Sequence, residues 1–482
     1  MARGDLAQSI VSGAAMSRVS TYPMLSRARE AALILLLRPF DTSTPEGRAR
    51  ERDRRVALTM AVSLGARSIS ILTVLVSVPL TLGYLGAERY GLWMTISALV
   101  AMFGFADLGM GNGLLNALAE ANGRDNRDAA RRYVSSAFLM LAGLAVIVGA
   151  AFAVVYPLVP WQALFNVSSP EAGPAMAAFV GCFLVSLPLG VVEKVQLGYQ
   201  EGFRNALWTA LGSVFGLGAV LVAIALEAGL PWLVLAMAGA PVVARLANGV
   251  ALFGWHKRWL RPTLAAATRS AARQVLQLGL LFLVLQLAVA VAYQSDSMVA
   301  AQVIGPEAVA EYSVVYRLFM FVPMLAGLAL TPLWPAYGEA IARGDVAWVR
   351  RTLSRSLRFS VLATVPASLV LVVLGSKIIH IWVGEEIAPS YALILGFGVW
   401  MVMVTVGNAV AMFLNGANIV RFQVVTALCM AMTNLALSIA LSRTMGVAGV
   451  IWGTVVAYSL CAALPMAIRA GAIIRRLEPV HV

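Results

Sequence analysis

Apolar residues run along this chain in stretches of about twenty or more, separated by short polar connections, from Arg55 almost to the C-terminus. A helix rises ~1.5 Å per residue, so each stretch is long enough to cross a hydrocarbon layer ~30 Å thick. The pattern predicts crossings at about 57–82, 90–116, 133–158, 174–196, 206–226, 231–253, 276–303, 311–336, 356–379, 390–414, 421–442 and 446–469. The expected fold is an all-α polytopic membrane protein with about twelve transmembrane helices.

Residues 1–55 break the pattern, being polar and basic apart from seven apolar residues at 31–37, too few to span. No small-x-small cleavage site follows them. A cytoplasmic N-terminal arm with a helix able to lie on the membrane surface is therefore expected, not a secretory signal.

The pattern repeats. LGAERYGLW after the first span resembles IGPEAVAEY after the seventh, and Gly86 and Gly305 stand 219 residues apart. Arg131-Arg132 and Arg350-Arg351 stand at the same interval. Two matches in one register argue for a duplication into two pseudo-symmetric six-helix lobes, residues 56–254 and 276–470, joined by a basic linker over 255–275. An even number of spans per lobe orients both alike, about an axis along the membrane normal, with a pathway between them.

Composition agrees: 60% hydrophobic and 12% charged residues lie far from soluble usage. The net charge of +13 would suggest nucleic acid in a soluble chain. Here the cations sit in short loops, Lys257, Arg258, Arg261, Arg269 and Arg273 after span six and Arg343, Arg350, Arg351 and Arg355 after span eight. Glu171, Glu227, Glu307, Glu385 and Glu386 mark the other side. The positive-inside rule then places both termini in the cytoplasm, with 471–482 as a tail, and no nucleic-acid partner is expected. Cys182, Cys429 and Cys461 lie in apolar runs, and His256, His380 and His481 are far apart. No metal site, nucleotide loop or cofactor is expected.

Polar groups inside the spans carry the candidate chemistry. Ser63, Arg67, Ser70 and Ser77 form a stripe on span one, and Gln286, Tyr293, Asp296 and Ser297 one on span seven. The 219 interval carries Arg67 onto Gln286 and Ser77 onto Asp296, so two inward stripes are expected to face each other across a cavity. By depth, Asp296 is expected to pair with Arg317, while Arg67 and Asp107 lie in the inner half or near the middle of spans one and two. Two readings stay open. The pairs tie helices together, or Arg67 binds an oxyanion and Asp296 or Asp107 changes protonation during transport. Gly109, Gly111 and Gly113, with Gly212, Gly216, Gly449 and Gly453, read as helix-packing glycines. Asn112, Asn116, Asn408, Asn415 and Asn434 read as interhelical hydrogen bonders, and Pro323, Pro332 and Pro335 as a break in span eight.

YGLWMTISALVAMFGFADLGMGNGL, QSDSMVAAQVIGPEAVAEYSVVYRL, LWPAYGEAIARGDVAWVRR and GVAGVIWGTVVAYSL, in this order, resemble the bacterial polysaccharide transporter family over about residues 57–470. Its members include O-antigen and exopolysaccharide flippases of the multidrug/oligosaccharidyl-lipid/polysaccharide exporter superfamily. The resemblance implies two six-helix lobes and alternating access in the bacterial inner membrane. It implies that an undecaprenyl-pyrophosphate-linked oligosaccharide repeat unit is turned to the periplasmic leaflet for surface polysaccharide synthesis. It also implies a cavity lined by the first helix of each lobe. Arg67, Gln286, Tyr293 and Asn112 are then the candidate substrate ligands, and Asp107, Asp296 and Arg317 the candidate coupling or gating groups. Few cations lie at those depths, which fits a neutral or weakly acidic sugar. The expected partners are the polyprenyl-linked oligosaccharide and membrane lipid, with a polysaccharide polymerase and glycosyltransferases as further candidates. The alternative is a cation-coupled multidrug exporter of the same superfamily, which calls for an acidic cavity. A glycosyltransferase or polymerase usually needs a sizeable outer loop, yet the longest outer connection, 159–173, holds Glu171 alone among acids and bases. No enzymatic activity is expected.

Overall fold

A computed structural model describes residues 39–102, 105–165, 167–384 and 387–477. Most of the N-terminal arm, Glu385, Glu386 and the last residues of the tail lie outside the described residues. The chain divides into two compact units, residues 1–58 and 59–482. In the smaller unit Thr44 Oγ1 accepts from Gly47 N at 3.1 Å at the start of the first helix, and Glu51 pairs with Arg54 at 2.6 Å and Arg55 at 2.7 Å.

The helices are α1 Pro45–Met102, α2 Met110–Gly123, α3 Arg127–Val155, α4 Ala172–Gly198, α5 Gly202–Ala225, α6 Leu230–His256, α7 Arg269–Ile304, α8 Glu307–Ala342, α9 Val346–Val383, α10 Tyr391–Gly416, α11 Val420–Met445 and α12 Val447–Arg476. Eleven stretches among them are long and apolar enough to cross a membrane. Span two is absent from that set. It is the end of α1, a turn, and α2. The break lies at FADLG, where Leu108 and Gly109 take φ of 52° and 70°. Asp107 holds the new helix start, its Oδ1 accepting from Gly109 N at 2.9 Å and its Oδ2 from Gly111 N at 3.1 Å. A carboxylate there takes backbone donors that a helix start leaves without partners.

Two lobes fold from α1–α6 and α7–α12, and their turns bear out the repeat. Gly86 (φ 74°, ψ 170°) separates the first two spans and Gly305 (φ 135°, ψ 171°) the seventh and eighth, conformations that glycine tolerates and other residues resist. After spans two and eight, Asp125 and Gly344 turn left-handed, and the next residues, Asn126 and Asp345, cap α3 and α9 by accepting from Ala129 N and Trp348 N. The caps also explain why helices start earlier than hydropathy predicts. α7 begins at Arg269 behind the Thr268 cap and α9 at Val346 behind Asp345, each running through charged residues before entering the apolar layer. Proline does break span eight, at Thr331–Pro332, whereas Pro323 sits inside the helix.

The second lobe has a core of Tyr312, Phe319, Phe397, Trp400, Met401 and Tyr458. A different cluster joins the lobes, with Leu114, Val134 and Val195 of the first packed on Val275 of α7. There Gly109 and Gly113 lie directly on Gly279. A Cβ on Gly279 would come within 2.9 Å of the Met110 backbone. Hydrogen bonds between the lobes gather at this end, which carries the basic connections: Asn116 with Trp334 and Asn415, Tyr133 with Gln274, and Arg343 with Asp125.

Candidate functional site

A cavity of about 690 Å³ opens in the second lobe between α7, α8, α10, α11 and α12. Its polar lining is Tyr293, Tyr316, Arg317, Thr405, Asn408, Asn415, Gln423, Thr426 and Tyr458; methionines, Phe321 and Pro323 fill much of the rest. Tyr293 and Tyr458 both stand edge-on to Trp400, ring centroids 5.6 and 5.2 Å away, which fixes an aromatic wall.

One helical turn beyond this wall lies a closed polar cluster. Asp296, 2% exposed, accepts at Oδ1 from Asn434 Nδ2 (2.9 Å) and at Oδ2 from Tyr312 Oη (2.9 Å) and Thr454 Oγ1 (2.8 Å). Ser438 Oγ donates to Asn434 Oδ1 at 3.1 Å. Four of the five helices contribute to both places. Tyr293 and Asp296 are three apart on α7, Tyr316 and Tyr312 four apart on α8, Met430 and Asn434 four apart on α11, and Tyr458 and Thr454 four apart on α12. Residues three or four apart share a helix face, so cavity wall and carboxylate cluster are held by the same four rods.

The expected Asp296–Arg317 pair does not form. Asp296 is satisfied by neutral donors, and Arg317 is an exposed side chain on the cavity wall with no ion pair among the described residues. α8 turns residue 312 toward α7 and residue 317, five positions on, well round the helix. Arg67 and Asp107 are not paired either. Asp107 caps α2, and Arg67 is exposed beside the packed stripe of span one. That stripe divides. Ser70 Oγ bonds Ser213 of α5 at 2.9 Å and Ala66 packs on Ala206 and Ala210, leaving Arg67 exposed with Leu64 and Ile71. Gln286 donates to Phe282 O of its own helix, one turn below the cavity residues Val289 and Tyr293. Asn112 lies in the first lobe and accepts from Lys194 Nζ of α4 at 3.3 Å. Of the four expected substrate ligands, only Tyr293 lines the cavity; Arg67, Gln286 and Asn112 do not.

Lys194, Tyr312, Thr454 and Ser438 were not singled out from sequence. Lys194 had a visible signal, a lone lysine at the end of an apolar run. Tyr312, Ser438 and Thr454 had none, because a hydroxyl every fourth residue in a membrane helix commonly bonds its own backbone.

Outside the spans, Arg343 holds its proton still more firmly than an ordinary guanidinium, first because it donates to Asp125. The carboxyl of Glu88 sits below its usual range because Ser168 donates to it through Oγ and N, at 2.8 and 2.9 Å.

A sequence profile described as polysaccharide biosynthesis protein matches residues 58–340, and one described as MatE matches 268–440. A search of curated proteins found no match. Among solved structures, an outward-facing multidrug resistance MATE family transporter of the MOP superfamily superposes with a TM-score of 0.71 at 17% identity, covering 88% of this chain and 96% of that one. A MATE protein in complex with MaD3S gives 0.72 at 16% identity with the same coverages. A MOP superfamily transporter from Pyrococcus furiosus Vc1, whose reversed pocket polarity suggests a different function, gives 0.72 at 15% identity, covering 93% of this chain and 99% of that one. At these identities the likeness establishes the fold. The first profile covers more than half of the chain, so the chain belongs to the polysaccharide biosynthesis protein family, and its fold is that of the MOP transporters.

Proposed function

We propose that this protein carries a polyprenyl-diphosphate-linked oligosaccharide across the bacterial inner membrane by alternating access, with both termini in the cytoplasm. The observation that supports this most is the lining of the second-lobe cavity, where amides, hydroxyls and aromatic faces converge beside one arginine. Sugars offer hydroxyls to amides such as Asn408, Asn415 and Gln423 and C–H faces to rings such as Tyr293, while a guanidinium takes a phosphate-type oxyanion. The basic end, closed by α2, α7 and α8, is then the cytoplasmic gate. Asp296 is the group whose occupancy by a proton or small cation biases the lobe, since a change there is passed along four helices to the cavity wall. Flipping of a fluorescent lipid-linked oligosaccharide in proteoliposomes tests the reading. Protein-dependent flipping, lowered at least tenfold by Asn408→Ala combined with Gln423→Ala, is expected; no protein-dependent flipping overturns it.

A second reading, a cation-coupled multidrug exporter, has support in the MatE match and in the apolar share of the lining, including Met320, Met324, Met430 and Met466. Methionine-rich walls repack around varied apolar ligands. Cation-driven efflux of lipophilic drugs from the same vesicles, without oligosaccharide flipping, is its signature.

A further inference from the structure

Arg317 borders two spaces. Besides the cavity, it lines a groove of about 630 Å³ between α8 and α9 whose other walls include Phe321, Pro366, Val370, Ile378 and Trp382. Arg317 and Phe321 belong to both linings. Apart from Arg317 the groove is wholly apolar. From Pro366 to Trp382 it follows α9 for about 24 Å. An arginine without an acidic partner, some ten residues inside a membrane-crossing helix, is costly unless water or an anion meets it. Here the guanidinium stands at the junction of an apolar channel and a polar chamber, so the complementary ligand is amphiphilic in that order: hydrocarbon, anion, polar extension.

Resting on the function proposed above, we infer that the α8–α9 groove takes the hydrocarbon chain of the carrier lipid, that Arg317 binds its diphosphate-type head, and that the saccharide enters the cavity. A flexible chain gains little by lying along a helix surface already bathed in lipid, because lipid tails are as apolar as the groove. Recognition therefore comes from the head at Arg317, a planar fork that grips two phosphate oxygens at once. The groove supplies direction, leading the chain away from the chamber.

The test uses the full chain in nanodiscs with a saccharide-free polyprenyl diphosphate bearing a photoreactive group on its chain. Labelling is expected on α8 and α9 at the groove. It should be competed by unlabelled polyprenyl diphosphate but not by the headless polyprenol or by phosphatidylglycerol. Arg317→Ala should lower it at least tenfold and Arg317→Lys less, and Val370→Trp should lower it by filling the groove; each variant is first checked for a single gel-filtration peak. Labelling that survives Arg317→Ala, competition by polyprenol or phosphatidylglycerol equal to that by the diphosphate, or labelling confined to other helices would each overturn the assignment. The probe carries no sugar, so the outcomes separate. Oligosaccharide flipping without groove labelling sinks the groove alone, while groove labelling without flipping upholds the groove and sinks the transport reading.

Discussion

Arg343 of the second lobe clasps Asp125 of the first, Nη1 to Oδ2 at 2.7 Å and Nη2 to Oδ1 at 2.8 Å, while Nη2 also donates to Asn122 O at 2.9 Å. On its own helix Arg343 pairs with Glu339, which Gln200 of the first lobe also reaches at 3.4 Å. The duplication explains the arrangement. Glu120–Arg124 in the first lobe, paired at 2.8 Å, is the counterpart of Glu339–Arg343, since both residues stand 219 positions earlier. At the next position the first lobe has Asp125 and the second Gly344. The symmetric pair was thus made into a one-sided clasp by a single acid.

The two halves of that clasp should respond differently. The Asp125 side chain is 75% exposed, so its pairing contributes about 0.2–1 kcal/mol and Asp125→Asn should shift the closed population less than about fivefold. Arg343→Ala also removes the ionic partner of Glu339, whose side chain is only 6% exposed and which then keeps Gln200, and breaking a pair buried there costs about 3 kcal/mol. Cysteine accessibility at Ala119, buried behind the clasp, measures the opening. It should rise slightly in the first variant and strongly in the second, and equal responses would remove Glu339 from the account.

Glycine 279 sets how close the lobes come. An added methyl would stand 2.9 Å from both N and Cα of Met110, backbone atoms that cannot rotate away. Gly279→Ala should therefore lower stability by about 1–3 kcal/mol through overpacking. Gly143→Ala, on α3 with nothing within 4 Å, should be neutral or stabilise by up to about 1 kcal/mol through helix propensity. Thermal unfolding in one detergent compares them, and equal midpoints would show that the α2–α7 contact has slack.

The helices and their duplication were legible because hydropathy and loop chemistry are local. Gly86, Gly305 and the paired arginines needed no knowledge of packing. The partners of buried charges were not legible. Asp296 was expected to face inward, yet its partners lie on α8, α11 and α12, and sequence cannot give the rotation of those helices. Arg317 and Asp296 matched in depth and sign, but depth fixes only one of the two helical coordinates. Arg67 stands one residue of rotation from the serine stripe, where Ser70 bonds Ser213. The break at Asp107 was hidden in glycines read as packing residues.

Outside the bundle, Glu88 makes an acid-sensitive tie. Its carboxyl lies below the ordinary 4.5 because Ser168 donates two hydrogen bonds to the charged form. A depressed folded value means that the stabilisation is fully present above the ordinary value and is lost as pH falls through the depressed one. Amide exchange at Ser168, corrected for intrinsic rates, should lose protection only below the ordinary carboxylate value of 4.5, and Glu88→Gln should make it insensitive to pH. Lost protection near neutrality would assign the tie to another group.

Asp296 gives the sharpest separation of structure from transport. Aspartate to alanine leaves a void and strips Tyr312 of its acceptor, while Asn434 and Thr454 keep only Ala292 O and Val450 O, and a donor buried without a partner costs about 1–3 kcal/mol, so Asp296→Ala should be destabilised. Asparagine keeps the size and one acceptor oxygen, and the two hydroxyls can turn to accept from its amide. Asp296→Asn should then unfold within a few degrees of the unmodified protein, corresponding to about 1 kcal/mol. It has no proton to release and only a weak hold on a cation. Its transport, measured as flipping with and without an imposed proton or sodium gradient, should therefore lose at least tenfold of the gradient-stimulated rate while the ungraded rate persists. If Asp296→Asn answers the gradient like the unmodified protein, the carboxylate is a structural knot of the second lobe, and the coupling lies with a different group.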